Sequence, residues 1–332
     1  MKPRSIISLI IAAVLILGGI ITCAVASAKA DSDGVMLFPE ADFNGDLVYR
    51  MDLNGTTKIT VDAADADIQI VGGAEKSVIE VINFNANYYK LNESNGSVNF
   101  AQVDDFMSMF KFWENGFSFK GMRYILRFGD DAAGDKRVII KLASDTDLRL
   151  VNISTETGDI SLKNCPFNAD YTLKAENANT DIKNVTNCAA LNIYGNAGQI
   201  TADSVITDKL AINGNTLTTT LSAVTAKEAS VKTTDGAVKL SDSVIDDVHI
   251  TTVSGSIDIP SYKSSQGTLT TESGKISISF ESTGSLNANV VTLNGKISVN
   301  GQFTDNFSCS SSTATQNINI STSGGDVYIT HP

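Results

Sequence analysis

The residues of this 332-residue chain that could do chemistry are a handful of carboxylates, two histidines and four cysteines. Asp203, Asp208, Asp242, Asp246 and Asp247 are the nearest approach to the carboxylate clusters with which polysaccharide hydrolases and lyases work, one group holding a proton and another a charge. Measured from Ile200 and Val238 they fall at similar phases of two separated repeats, with Ser222 and Lys227 intervening, so they read as scattered solvent-facing carboxylates. His249 lies in a run of alternating apolar residues and His331 beside the C-terminus, and both read as core-edge or exposed side chains. No Ser, His and Asp stand at a recognisable triad spacing, no phosphate loop is present, and no Cys or His spacing suits a metal. Gly324-Gly325-Asp326 occurs once, without the nine-residue period of calcium-binding repeats. The expectation is a protein that is not an enzyme, with no cofactor and no metal.

What would position any site is a repeated phrase: Thr, two variable residues, Gly, one more residue, then Ile or Val. It reads Thr155-Glu-Thr-Gly158-Asp-Ile160, Thr233-Thr-Asp-Gly236-Ala-Val238 and Thr252-Val-Ser-Gly255-Ser-Ile257. It returns as Thr271-Glu-Ser-Gly274-Lys-Ile276, Thr292-Leu-Asn-Gly295-Lys-Ile297 and Thr322-Ser-Gly-Gly325-Asp-Val327. Looser copies end at Ile182, where Asn179 and Thr180 replace the glycine, at Ile200 after Gly198, and at Thr219 with Leu217 in the glycine slot. A period of about 20 residues belongs to stacked solenoid coils. The alternative is an antiparallel β-sandwich with evenly spaced hairpins, which would not require one turn phrase at one interval.

Alternation of period two flanks each glycine, as in Leu148-Arg-Leu-Val-Asn-Ile153 and Ile160-Ser-Leu162, and period two means strand. The glycine is expected to supply a positive φ at a tight corner, helped by the Ser, Asn or Asp before it. One coil cannot bury its apolar side alone, so coils stack in parallel and in register. Ile160, Ile182, Ile200, Val238, Ile257, Ile276, Ile297 and Val327 then form an inward ladder behind the turn glycines Gly158, Gly198, Gly236, Gly255, Gly274, Gly295 and Gly325. Cys165 and Cys188 follow Asn164 and Asn187 at nearly the same phase of adjacent coils, which makes them either a candidate disulfide or two buried thiols in a ladder. Cys309 has no evident partner.

Lys2 and Arg4 precede an apolar run over residues 6–21, so residues 1–28 are expected to be a transmembrane anchor or a cleaved signal with the remainder facing outward. The formal charge of −12 makes nucleic acid an unlikely partner. Residues 29–54 read as a linker, 55–145 as an N-terminal β region in which Asn95-Gly-Ser-Val98 repeats the corner phrase, and 146–332 as the solenoid. An aromatic insert over 103–128 carries Phe106, Phe110 and Trp113, read as a cap over the first coils with a membrane-interface or ligand segment as the alternative. At the other end, the polar stretch Tyr328-Ile-Thr-His-Pro332 is expected to close the stack, since Pro332 donates no ladder bond.

The membrane segment, Ala66-Asp-Ile-Gln-Ile70, the Phe/Trp-rich insert, Arg137-Val-Ile-Ile-Lys-Leu142 and Ile153-Ser-Thr-Glu-Thr-Gly-Asp-Ile160 together resemble a bacterial β-strand repeat family labelled "putative adhesin", a domain of unknown function. Ala143 stands where that family often has Pro. The resemblance implies a surface-exposed, right-handed parallel β-helix and carries over no catalytic residue. The expected role is therefore a membrane-tethered, outward-facing solenoid that binds or scaffolds, with a surface glycan or envelope protein as partner. The alternatives are a carbohydrate-active β-helix lyase or hydrolase, and a solenoid that polymerises end to end.

Overall fold

The computed structural model describes residues 40, 41, 46–84, 89–102, 134–281 and 286–332. The expected anchor over residues 1–28 and the aromatic insert with Phe106, Phe110 and Trp113 lie outside the described residues. Among the described residues the chain is all strand and turn, with no α-helix and therefore none long and apolar enough to cross a membrane.

Alternating apolar residues, read as one buried and one outward side chain per pair, build two parallel ladders back to back. The first runs from Ser97–Gln102 through Lys58–Asp62, Leu150–Thr155 and Asp170–Ala175 into the long run Thr180–Lys232. It continues through Val244–Thr251, Gln266–Thr271 and Gln316–Thr322 to Leu286–Thr292. The second runs from Arg137–Ala143 through Asp67–Ala74, Ile160–Cys165, Thr180–Lys232, Val238–Ser241, Ile257–Tyr262, Ile276–Phe280 and Val327–Thr330 to Ile297–Val299. The chain passes from one ladder to the other at each corner, and the inward rows of both close one continuous core of Ile, Leu and Val.

Spatial order departs from chain order at both ends. Arg137–Ala143 lies outside Asp67–Ala74, although it comes later in the chain. The C-terminal strand Val327–Thr330 is an interior rung, held between Ile276–Phe280 and Ile297–Val299. The expectation that the polar C-terminus closes the stack is thus corrected. Closure at that end falls to the short antiparallel strands Gln302–Thr304 and Phe307–Cys309, which cover the outermost coil. At the other end Tyr89–Ser94 pairs antiparallel with Ser97–Gln102, and Val78–Ile82 with Arg137–Ala143. Antiparallel edges replace the parallel docking site that a bare end coil would present. The Asn95-Gly96 phrase is not a coil corner either. With φ of 52° and 71° it is the two-residue hairpin turn for which Asn-Gly is the usual choice.

Leu47–Asp52, within the stretch read as a linker, is a strand paired antiparallel with Val78–Ile82. Its Arg50 reaches Glu80 at 2.9 Å, and Lys141 reaches the same carboxylate at 2.9 Å. Glu80 is buried, so both cations are needed there. Burial alone would raise its pKa, and the hydrogen bonds and charges of Lys141 and Arg50 together hold it below the ordinary value.

Candidate binding surface

The repeated corner comes first, because it fixes where every outward side chain points. At Gly158, Gly236, Gly274, Gly295 and Gly325 the glycine N–H donates to the hydroxyl of the threonine three residues earlier, at 3.0, 3.2, 2.9, 2.9 and 2.8 Å. The same hydroxyls donate across to a carbonyl of a neighbouring coil, Thr233 to Asn215 at 2.8 Å and Thr271 to Val253 at 3.1 Å. One buried hydroxyl thus closes its own turn and staples it to the next.

The reason for glycine differs from the sequence expectation. Of the repeat glycines only Gly198 has a positive φ, at 130°. What the others require is close approach: a Cβ on Gly158, Gly236, Gly255, Gly274, Gly295 or Gly325 would stand 1.8–2.1 Å from a carbonyl oxygen of the adjacent coil. The stack of corners runs Gly236, Gly255, Gly274, Gly325, Gly295, each against the one before.

The left-handed residues sit at the opposite corner, which the Thr-x-x-Gly phrase does not mark. Asn164, Asn184, Ser204, Ala223 and Asp242 have φ between 50° and 58° and recur every 19 or 20 residues. Asn184 Nδ2 donates to Asn164 Oδ1 at 3.1 Å, which joins two successive corners. Asn tolerates this conformation best among residues with a side chain, which is the signal that the Asn164 and Asn184 spacing carried.

Among the ladder residues, Ile160, Ile200, Val238, Ile257, Ile276, Ile297 and Val327 are all buried. Ile182 is buried too, but in another row. It pairs with Leu162, while Thr180 stands opposite Ile160. In the glycine-free copy the ladder position is Thr180, two residues before Ile182. Cys165 pairs with Val185, not with Cys188, because the coil here is 20 residues long and the cysteines are out of phase by three. Both thiols are free and buried, and burial pushes Cys165 up to about 12 and Cys188 up to about 11. Tyr171 lies among them with a buried hydroxyl that has no partner. Such thiols are inert packing groups. Cys309 is half-buried in the outermost strand.

The carboxylates singled out in the sequence do not converge. Asp208 pairs with Lys227 at 2.8 Å, Asp247 with His249 at 3.1 Å, and Asp242 occupies the left-handed corner. His331 stacks on Phe307 at 6.2 Å. Among the described residues no three His, Cys, Asp or Glu side chains are placed to hold a metal ion.

What the fold does assemble is a row along the outward face of the first ladder. Successive partners are Asn99, Thr60, Asn152, Thr172 and Asn192. Beyond the middle of the stack it resumes as Ser230, His249, Thr268, Asn319, Asn289 and Ser308. Its neighbours in the C-terminal half are also polar, with Gln266, Asn317 and Asn287 on one side and Thr251, Thr270 and Ser321 on the other. Parallel strands space these groups about 4.8 Å apart. Amides and hydroxyls offer both donors and acceptors, so the face can pair with a polymer that carries either. In the sequence this row is an Asn, Thr, Ser or His within an alternating strand, and the same residue types fill the turns.

The profile of a family described as Toastrack DUF4097 matches residues 56–330. No curated protein matches the chain. Similar solved structures include a "putative adhesin" from Parabacteroides merdae at 14% identity, covering 86% of this chain and 96% of that one with a TM-score of 0.48. A "putative adhesin" from Parabacteroides distasonis has 10% identity, coverage of 86% and 97%, and a TM-score of 0.48. A "putative lipid binding protein" from the same species has 11% identity, coverage of 86% and 96%, and a TM-score of 0.40.

Proposed function

Since this chain belongs to the Toastrack DUF4097 family, we propose that it is a right-handed β-solenoid, tethered by its N-terminal segment, that acts outside the cell by binding rather than by catalysis. The observation that carries this reading is the row of amide and hydroxyl side chains on the first ladder, from Asn99 to Ser308. It is rigid, since its members lie in hydrogen-bonded strands, and a rigid array loses little entropy when it meets an extended partner. The partner class is a surface glycan or an envelope protein, not nucleic acid, because with 25 basic against 37 acidic residues the chain lacks the basic excess that neutralises a phosphate backbone.

The positive Lys2 and Arg4 before the apolar run over residues 6–21 support a single-pass anchor with the C-terminal part outside, or a secreted protein if the segment is cleaved. In intact cells, added protease should remove epitopes after about residue 35, and carbonate-washed membranes should retain the full-length chain. Recovery of a mature N-terminus at Lys29 or Asp31 in the medium would replace the anchor by a signal peptide. For the binding role, the chain is presented to a glycan array and to detergent-solubilised envelope. Capture should be lost when Thr268, Asn319 and Asn289 are changed together to Ala. Unchanged capture by that triple variant would remove the row from the function.

A further inference from the structure

A second surface, on the other ladder, has a chemistry the polar row lacks. In the C-terminal rungs of the second ladder the outward row reads Ser277, Tyr328, Ser298, Phe303. Tyr328 is 36% exposed and Phe303 68% exposed, while Ser298 between them is buried. The two rings therefore form a shelf over the serine, two rungs apart, roughly 10 Å along the stack axis. Lys275 Nζ stands 4.4 Å from the centre of the Tyr328 ring, and Lys296 Nζ 5.5 Å from that of Phe303. These lysines occupy the position before Ile276 and Ile297, so they too are separated by two rungs with Asp326 between them.

The combination of a lysine outside any ion pair with an exposed ring makes this place distinct among the described residues. The chain carries a formal −12, yet among the described residues neither Lys275 nor Lys296 is in an ion pair. Asp326 is the carboxylate nearest in register, and it is engaged elsewhere: Oδ1 accepts the Lys296 backbone N–H at 2.8 Å and Oδ2 accepts the Tyr328 hydroxyl at 3.4 Å. The comparable contact at the other end of the stack, Lys136 over Tyr89, is spent on an ion pair with Asp65 at 2.7 Å. A cation over an exposed ring is held weakly, so an arriving anion can take it.

We propose that this face binds a flat, extended polysaccharide bearing uronate carboxylates, with sugar rings on Tyr328 and Phe303 and carboxylates on Lys275 and Lys296. A two-fold ribbon of β-1,4-linked sugars presents the same side at every second residue, which matches rings and charges that both recur at every second rung. Sugar C–H faces pack on aromatic faces, and the two ammonium groups select the charged polymer over the neutral one. The assignment rests on the outward-facing reading above, but not on the amide row.

The test titrates the full-length chain in detergent micelles with short polymannuronate oligomers and, as a neutral ribbon of the same linkage, with cello-oligosaccharides. The uronate should bind at least about tenfold more tightly than the neutral ribbon, and Lys275→Gln with Lys296→Gln should erase that difference and its salt dependence. Tyr328→Ala with Phe303→Ala should lower binding of the uronate by about tenfold or more, at an unchanged melting temperature since both rings are exposed. Equal binding of the two ribbons, full binding by the lysine variant, or no binding by the unaltered chain would each overturn the assignment. Loss of uronate binding on Asn319→Ala with Asn289→Ala, and not on the lysine variant, would move the ligand to the first ladder and leave the broader reading standing.

Discussion

The Cβ that Gly325 lacks would stand 1.9 Å from the carbonyl oxygen of Gly274. These two glycines come from coils that are not neighbours in the chain. The last repeat has been threaded between two earlier ones, and the corner stack stays unbroken only because the inserted turn also has no side chain. Backbone oxygens fixed by two ladders cannot retreat as a flexible side chain could, so the spacing of the coils is set at this edge.

Gly274→Ala should accordingly cost about 3 kcal/mol or more, since its Cβ would meet the Gly255 oxygen at 2.0 Å. Gly301→Ala is the control. That glycine has φ of 83° and nothing near its Cβ position, so only backbone strain of about 1–2 kcal/mol is at stake. Thermal melts of the two variants should differ in this order, and equal losses would mean that φ rather than approach selects the glycines.

Ile257 and Ser256 test the inward and outward assignment. Ile257 is 1% exposed in the second ladder, and Ser256 is exposed at the corner before it. Ile257→Asp places a carboxylate without a partner in the core and should cost more than about 4 kcal/mol, enough to prevent folding, whereas Ser256→Asp should stay within about 0.5 kcal/mol. Similar melting temperatures for the pair would show that the register is wrong.

How much of this was legible follows from which interactions are local. The strand and turn phrase is a property of six consecutive residues, so Thr155 to Ile160 could be read directly. The threading of Val327–Thr330 between Ile276–Phe280 and Ile297–Val299 is a choice among rungs that share one turn phrase and one alternation, and nothing within one repeat records it. Ile182 stands outside the row because its coil has Thr180 at the position that most coils fill with Ile or Val, and periodicity of two cannot distinguish a two-residue slip. The outward row from Asn99 to Ser308 was visible as composition, but the Asn and Thr that form it are the same types that fill the turns.

Glu80 should make stability sensitive to acid. Its folded pKa is depressed from an ordinary 4.5 because Lys141 and Arg50 outweigh the effect of burial. A depressed carboxylate contributes stability that is fully present above its unfolded pKa and is lost as pH falls through the folded value. The melting temperature of the unaltered chain should therefore drop below about pH 4.5, and the gap to Glu80→Gln, wide at pH 7, should narrow over that range. A constant gap would show that the charge of Glu80 is not what the two cations stabilise.

Leu217 explains why its coil has no glycine in the turn. It occupies the slot itself, with its backbone carbonyl oxygen facing Gly236 and its side chain 1% exposed. Room for that side chain comes from Gly195 and Gly214, since a Cβ on Gly214 would meet Leu217 Cδ1 at 2.1 Å and one on Gly195 would meet Cδ2 at 3.2 Å. Gly214 lies 19 residues before Thr233, at the position where the stapling threonine stands in the Thr-x-x-Gly turns, so one apolar side chain has replaced both the hydroxyl and its turn. Gly214→Thr alone should clash and cost about 1–3 kcal/mol. Leu217→Gly alone should open a cavity and cost about 2–5 kcal/mol. Together they restore the Thr-x-x-Gly phrase, so the double variant should be more stable than the sum of the two losses by at least about 1 kcal/mol in a double-mutant cycle. Strict additivity would mean that the leucine and the missing threonine are not substitutes for each other.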